Sequence, residues 1–300
     1  MPTTKKTVQE LNLIDDFLFN EVLSDKENGE LVAKLILSVI MDHEIENISL
    51  KTQDVITTGN PKNHAIRLDV YIEEKYGEDG KKTRIYDVEV QKEDGMYLMP
   101  GRSRYYQALV DSKHLASGTG YDQMLPLWII IITPTDIFGK NRLYYTFENR
   151  CLEEPELSLN DGARRIFLNA SGTVDQKEDL SQLLKYIVNS NSNNASNKTT
   201  QILHEIVEKV RQRPDMGVKY MKVLEREQFI REESMERGIE RGMEQGRQET
   251  IVNSIINLMN SQGWPTEQAM SALGISDDDK SKYEGLIKES RATYSIHNKE

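Results

Sequence analysis

The chain has 300 residues, 37% of them hydrophobic and 29% charged, a formal net charge of −11 and one cysteine. That length holds one large domain, or a domain of roughly 150–200 residues with an extension, and the acidic balance argues against nucleic acid except where the acid lies in a separate appendage. The lone Cys151 excludes a disulfide framework and a thiolate-rich zinc or iron–sulfur site and fits a reducing, cytoplasmic setting, while the absence of any apolar run near ~18 residues argues against a membrane span.

Two helical patterns come first. Residues 12–23, NLIDDFLFNEVL, mix apolar residues at helical spacing with acids, and 29–41, GELVAKLILSVIM, repeats leucine, isoleucine and valine every three or four residues, as a buried helix does. Three strand patterns follow. Residues 48–57 are a weak one; 65–72, AIRLDVYI, alternates Ile66, Leu68, Val70 and Ile72 against Arg67, Asp69 and Tyr71; and RIYDVEVQ lies beyond a loop with an Asp-Gly turn. That order predicts a meander. Residues 99–116 read as a helix, and LPLWIIIIT, with no polar face, as a central strand covered on both sides. Further strands are expected at 142–148 and 164–169. The fold class is α/β.

The run NSNSNNASNKTT at 189–200 is polar and low in complexity, and reads as a linker or surface loop between a first domain, 1–188, and a helical C-terminal region, 201–300. In that region Gly238, Gly242 and Gly246 recur every four residues among glutamates and arginines, the composition of an extended solvated or self-associating helix. IVNSIINLM at 251–259 offers an apolar stripe on which a short helix from Trp264 to Leu273 folds back. Nucleotide-loop and α/β-hydrolase motifs are absent, and the five histidines show no metal-binding spacing; His64 flanks the Asp69 strand as a surface residue.

Asp69 and Glu89 lie on the polar faces of neighbouring strands, and Gln91, two residues on, shares the face of Glu89. If those strands pair with Asp69 near Glu89, two carboxylates converge, and a divalent cation relieves their repulsion. Oxygen-only donors select magnesium or manganese.

The spacing RLDVYIEE…YDVEVQ, with DDFLFNEVL upstream and RSRYYQALVDSKHL, GTGYDQMLPLWIIIITPTDIFGKNRLYYTFENRC and DGARRIFLNASG downstream, closely resembles the PD-(D/E)XK nuclease family transposases, a group that includes recombination-promoting nucleases. The resemblance spans roughly residues 10–185. It implies a restriction-endonuclease-like core, a central mixed sheet flanked by helices, that cuts DNA with Mg2+ or Mn2+. By it, Asp69 stands at the first metal-ligand aspartate, Glu89 at the second acidic position, Gln91 at the motif's lysine, and Asp16 at an accessory acid of the N-terminal helix.

Two departures stand out. The motif's proline is absent, since Arg67-Leu68 precedes Asp69, and glutamine replaces lysine, so position 91 can orient a water but carries no charge. Lys92 points to the other face unless the strand ends at Gln91. Arg67, Lys81, Lys82, Arg102 and Arg104 are candidate DNA-backbone contacts where they face the same cleft; Arg102 and Arg104, two apart on a helix, do not share one stripe. The expected activity is that of a DNA endonuclease, paired through its C-terminal helices, with a catalytically degenerate DNA-binding or interaction module as the alternative.

Overall fold

A computed structural model describes residues 6–56, 66–77, 80–92, 96–115, 117–175 and 177–297, without the side chains of residues 53, 67 and 289–297. His64 and Asp79 of the expected turn lie outside the described residues. The two helical patterns at the start form α1 (Asp16–Leu23) and α2 (Gly29–Met41). A meander of β1 (Ile48–Ile56), β2 (Ile66–Tyr76) and β3 (Lys82–Val90) follows, then α3 (Met99–His114), β4 (Leu127–Thr133), β5 (Tyr144–Phe147) and β6 (Ala163–Asn169). The sheet is mixed and six-stranded, ordered β1-β2-β3-β4-β6-β5. β1, β2 and β3 pair antiparallel, β3, β4 and β6 parallel, and β5 closes the far edge antiparallel to β6.

β4 sits between β3 and β6, and its isoleucines divide between two cores by simple alternation. Ile130 and Ile132 join the larger core beneath α1, α2, α4 (Glu178–Val188) and α5 (Lys198–Arg211); Ile129 and Ile131 join the smaller core under α3, with Tyr106, Leu109 and Val110. A strand covered on both faces has no use for a polar side, which is why LWIIII shows none.

β2 departs from strict alternation. Val70 and Ile72 belong to the larger core, but Ile66 and Leu68 pack in the smaller one with Tyr71, so the four residues expected on one face lie on two. The change of face falls at Asp69, where β2 parts from β3 while it stays paired with β1, as described below.

Of the two readings of the Asn/Ser-rich segment, the structure has the surface loop, irregular apart from a short turn at Ser192–Asn194 and the start of α5, and tied to the first domain. Buried Ser190 accepts a bond from the Leu13 amide at 2.8 Å through its hydroxyl, which itself donates to the Tyr186 carbonyl at 3.0 Å; its own carbonyl accepts from the Arg211 guanidinium at 3.1 Å. Asn197 caps α5, accepting from the Thr200 amide at 2.8 Å, and Leu203, Ile206, Val207 and Val210 of that helix enter the larger core. Asparagine and serine here terminate and start helices, the role for which short polar side chains compete with backbone partners. The chain instead divides into compact units at Met1–Lys222 and Val223–Glu300.

The long α6 (Met216–Gln262) carries the glycine repeat, with open space around Gly238, Gly242 and Gly246. Within the second unit, Val252 and Ile255 of α6 pack with Ala269 and Met270 of α7 (Thr266–Ala272) and with Tyr283 and Ile287 of α8 (Asp277–His297). The fold-back expected on the apolar stripe is present; Pro265 stands at the N-cap, one place before the first turn.

Candidate active site

β2 and β3 pair without interruption from Tyr76↔Lys82 to Val70↔Val88. One step further, the same register sets Asp69 opposite Glu89, and there the backbone ladder stops. Side chains replace it: the Asp69 amide donates to Glu89 Oε1 at 3.0 Å and the Val90 amide to Asp69 Oδ2 at 3.4 Å. β3 keeps its other partner through Val90↔Ile132, and the Gln91 amide still donates to the Ile132 carbonyl at 2.9 Å. The strand pair therefore opens with one carboxylate on each lip.

Val88 and Val90 face the larger core, so Asp87 and Glu89 face the α3 side. Asp87 is fully buried, and neither of its oxygens meets a donor in good geometry, although Glu89 is close enough to share a proton with it. Asp16, in the first turn of α1, lies within hydrogen-bonding reach of Asp69, and its Oδ1 accepts from Asn20 Nδ2 at 2.6 Å. Four acids thus crowd one end of the sheet. Burial first, then the charges of Glu89 and Asp16, push the Asp69 carboxyl up to about 9. Burial and then Asp69 raise Asp87 well above the carboxylate range; burial and then Asp87 do the same to Glu89. Burial and mutual repulsion thus make each of these groups harder to ionise than a free carboxylic acid.

The donor chemistry fits a hard cation. Asp69 and Glu89 supply oxygens only, each with one oxygen engaged by a backbone amide. Among the described residues no three His, Cys, Asp or Glu side chains form a ready cage. A pair suits Mg2+, which keeps several waters and is bound through one or two carboxylates and substrate phosphates.

Gln91 lies next to this pair, its Oε1 accepting from Arg102 Nη1 at 3.0 Å and its Nε2 donating to the Lys92 carbonyl at 3.2 Å. Arg102 also donates through Nη2 to the Tyr106 hydroxyl at 2.5 Å. Burial works against its charge, while the bond to Tyr106 and the nearby acids Glu89 and Asp69 more than restore it. β3 ends before Lys92, which turns away to an ion pair with Asp15, the buried N-cap of α1.

The other basic candidates separate. Arg104 is exposed on α3. Lys81 and Lys82 are exposed at the opposite end of β3, roughly 25 Å from Glu89 at ~3.3 Å per residue, so the structure does not bring them to the acids. The Arg67 backbone pairs with Val55 in β1, and its side chain is outside the description. Sequence reasoning missed Asp87 and the Arg102–Tyr106 support of Gln91. The two-residue alternation Asp87, Glu89, Gln91 was a signal for the first; the second depends on how α3 crosses the sheet.

A family model described as PD-(D/E)XK nuclease family transposase matches residues 13–245, a range that contains all six strands and every acid of the site. No curated protein and no solved structure matches the chain. Among the described residues no helix is long and apolar enough to cross a membrane. PD-(D/E)XK nucleases generally use divalent metals, in keeping with the donors at Asp69 and Glu89. By the extent of that match, the chain belongs to the PD-(D/E)XK nuclease family transposases.

Proposed function

We propose that this protein is a metal-dependent DNA endonuclease of the transposase-like, recombination-promoting kind, which hydrolyses phosphodiesters to leave a 5′-phosphate and a 3′-hydroxyl. The observation that carries the reading is the opening of the β2–β3 ladder at Asp69 and Glu89, where two buried carboxyl groups face each other across the gap. Mg2+ or Mn2+, when bound, polarises a phosphoryl oxygen and lowers the pKa of a water. The chain's own residues do the rest. Asp69 and Glu89 hold the ion, Gln91 orients the attacking water through its amide, and Asp16, steadied by Asn20, braces Asp69 as an accessory acid. Arg102, with Arg67 and Arg104 on the flanking elements, meets backbone phosphates.

Cutting both strands calls for two sites. Exposed Phe229, Met235, Ile239 and Met243 on α6 support pairing of two copies through that helix. The single cysteine supports a cytoplasmic place. Glutamine at the lysine position favours a second reading, a degenerate member that binds DNA without cutting it.

Conversion of supercoiled plasmid to nicked and linear forms, with Mg2+ or Mn2+, tests the two. Cleavage by the wild type that disappears with EDTA and in identically purified Glu89→Ala supports the endonuclease. Equal cleavage by both proteins refutes this site. Salt-dependent DNA binding without product under every condition favours the degenerate module.

A further inference from the structure

The lysine of the family motif brings positive charge to the acid pair, and Gln91 does not. The cation that reaches this end of the sheet comes from another element: Arg102, on α3, bonds Gln91, two residues beyond Glu89 on the same chain segment, and its charge is felt at Glu89 and Asp87. Lys92, the adjacent cation in sequence, is held by Asp15. Arg102 is fixed from two sides. Gln91 Oε1 takes Nη1, and the hydroxyl of buried Tyr106, one helical turn along α3, takes Nη2. Those bonds use two of the five N–H donors of a guanidinium. The geometry leaves a half-buried, always-charged fork beside the two carboxylates.

We propose that Arg102 supplies the positive charge that the family motif places on its lysine, donating to the scissile phosphate, and that Gln91 and Tyr106 are positioning residues that aim its guanidinium. This assignment rests on the reading of the site as a metal-dependent nuclease. It explains why glutamine suits position 91. A lysine there would set a second cation against Arg102 and give up the acceptor oxygen that holds it, whereas an amide carbonyl fixes the arginine without adding charge.

The test moves the charge from one position to the other in the full-length protein. Single-turnover cleavage of duplex DNA with Mg2+, and Mn2+ affinity without DNA, are measured for the wild type, Arg102→Gln, and Arg102→Gln combined with Gln91→Lys. Arg102→Gln is expected to cleave about 100-fold more slowly, the scale on which a lost transition-state donor acts. It is also expected to bind Mn2+ several-fold more tightly, since a like charge has left the site. Restoring lysine at 91 brings the rate back to within about tenfold of wild type and weakens Mn2+ binding again. An unchanged rate in Arg102→Gln overturns the proposal. So does a folded but slow Arg102→Gln that Gln91→Lys fails to rescue, which assigns Arg102 to packing on Tyr106. If the wild type binds Mn2+ but cuts nothing, the nuclease reading fails on its own and unchanged Mn2+ affinity in Arg102→Gln overturns the charge assignment. No Mn2+ binding in the wild type removes both.

Discussion

Two buried acids on β2, five residues apart, receive opposite treatment. Glu74 pairs in register with Arg84, whose Nη1 lies 3.7 Å from its Oε2, and the same oxygen accepts from the Tyr86 hydroxyl at 2.7 Å. The Arg84 guanidinium is in turn stacked between Trp128, 4.3 Å from its centroid, and Tyr76, 4.5 Å away. At the other end of the β2–β3 pair, Asp69 meets Glu89 across the gap, with Asp87 and Asp16 beside them. One end of the ladder neutralises its buried charge; the other gathers acids whose charges would repel one another. A fold that can satisfy a buried carboxylate so fully at Glu74 leaves three buried acids and the exposed Asp16 crowded at Asp69, and such an arrangement marks a place for a ligand.

The comparison can be broken at either end. The largest effect is expected at the crowded end: Asp69→Asn and Glu89→Gln each lower Mg2+-dependent cleavage by about 10³-fold or more and lose Mn2+ affinity, while the protein stays folded. A variant that keeps its rate would move the chemistry elsewhere. Next comes Glu74→Gln, which leaves the Arg84 charge without its counter-ion; it costs about 2–4 kcal/mol, read as a melting temperature lower by roughly 4–12 °C. If that substitution were harmless, the contrast between the two ends would lose its meaning.

Asp87→Asn works in the other direction. Removing a carboxyl buried among carboxyls is expected to stabilise the metal-free protein by about 1–3 kcal/mol near pH 8, measured by denaturant unfolding in EDTA. Destabilisation there would reveal a partner for Asp87 that repulsion does not describe. The smallest effect is a slope. Because the folded carboxyls hold protons more tightly than the unfolded ones, their contribution is present below about pH 4 and is lost as pH rises toward about 9 at Asp69. Melting temperature in EDTA should therefore fall across that window by a few degrees more than with saturating Mg2+; parallel curves would contradict it.

Much of this was legible in the residues. The alternation in RLDVYI and YDVEV located both acids on adjacent strands, and the unbroken apolar run LWIIII announced a strand covered on both faces. The hairpin register then sets Asp69 against Glu89. Other features stayed open because composition carries no context. Asn and Ser at 189–200 have the composition of a linker or surface loop, and composition does not say which; Ser190, bonded to Leu13, and Asn197, capping α5, make it a loop fastened to the domain. Lys81 and Lys82 are candidate DNA contacts only where they share the cleft of the acids, and they sit at the opposite end of β3, because an extended strand carries its two ends far apart.

The sequence by itself determined the α/β class, the antiparallel meander and the central strand, since each follows from periodicity within a short span; it placed Asp69 and Glu89 on neighbouring strands, and the family resemblance singled them out as a pair. Only the tertiary structure decided that the ladder parts at Asp69, that Asp16 and Asp87 join the pair, that Lys92 turns to Asp15, and that Arg102 takes hold of Gln91. Those contacts bring together α1, β2, β3 and α3, and what fixes them is how the helices pack across the two faces of the sheet, a condition that no local pattern of residues encodes.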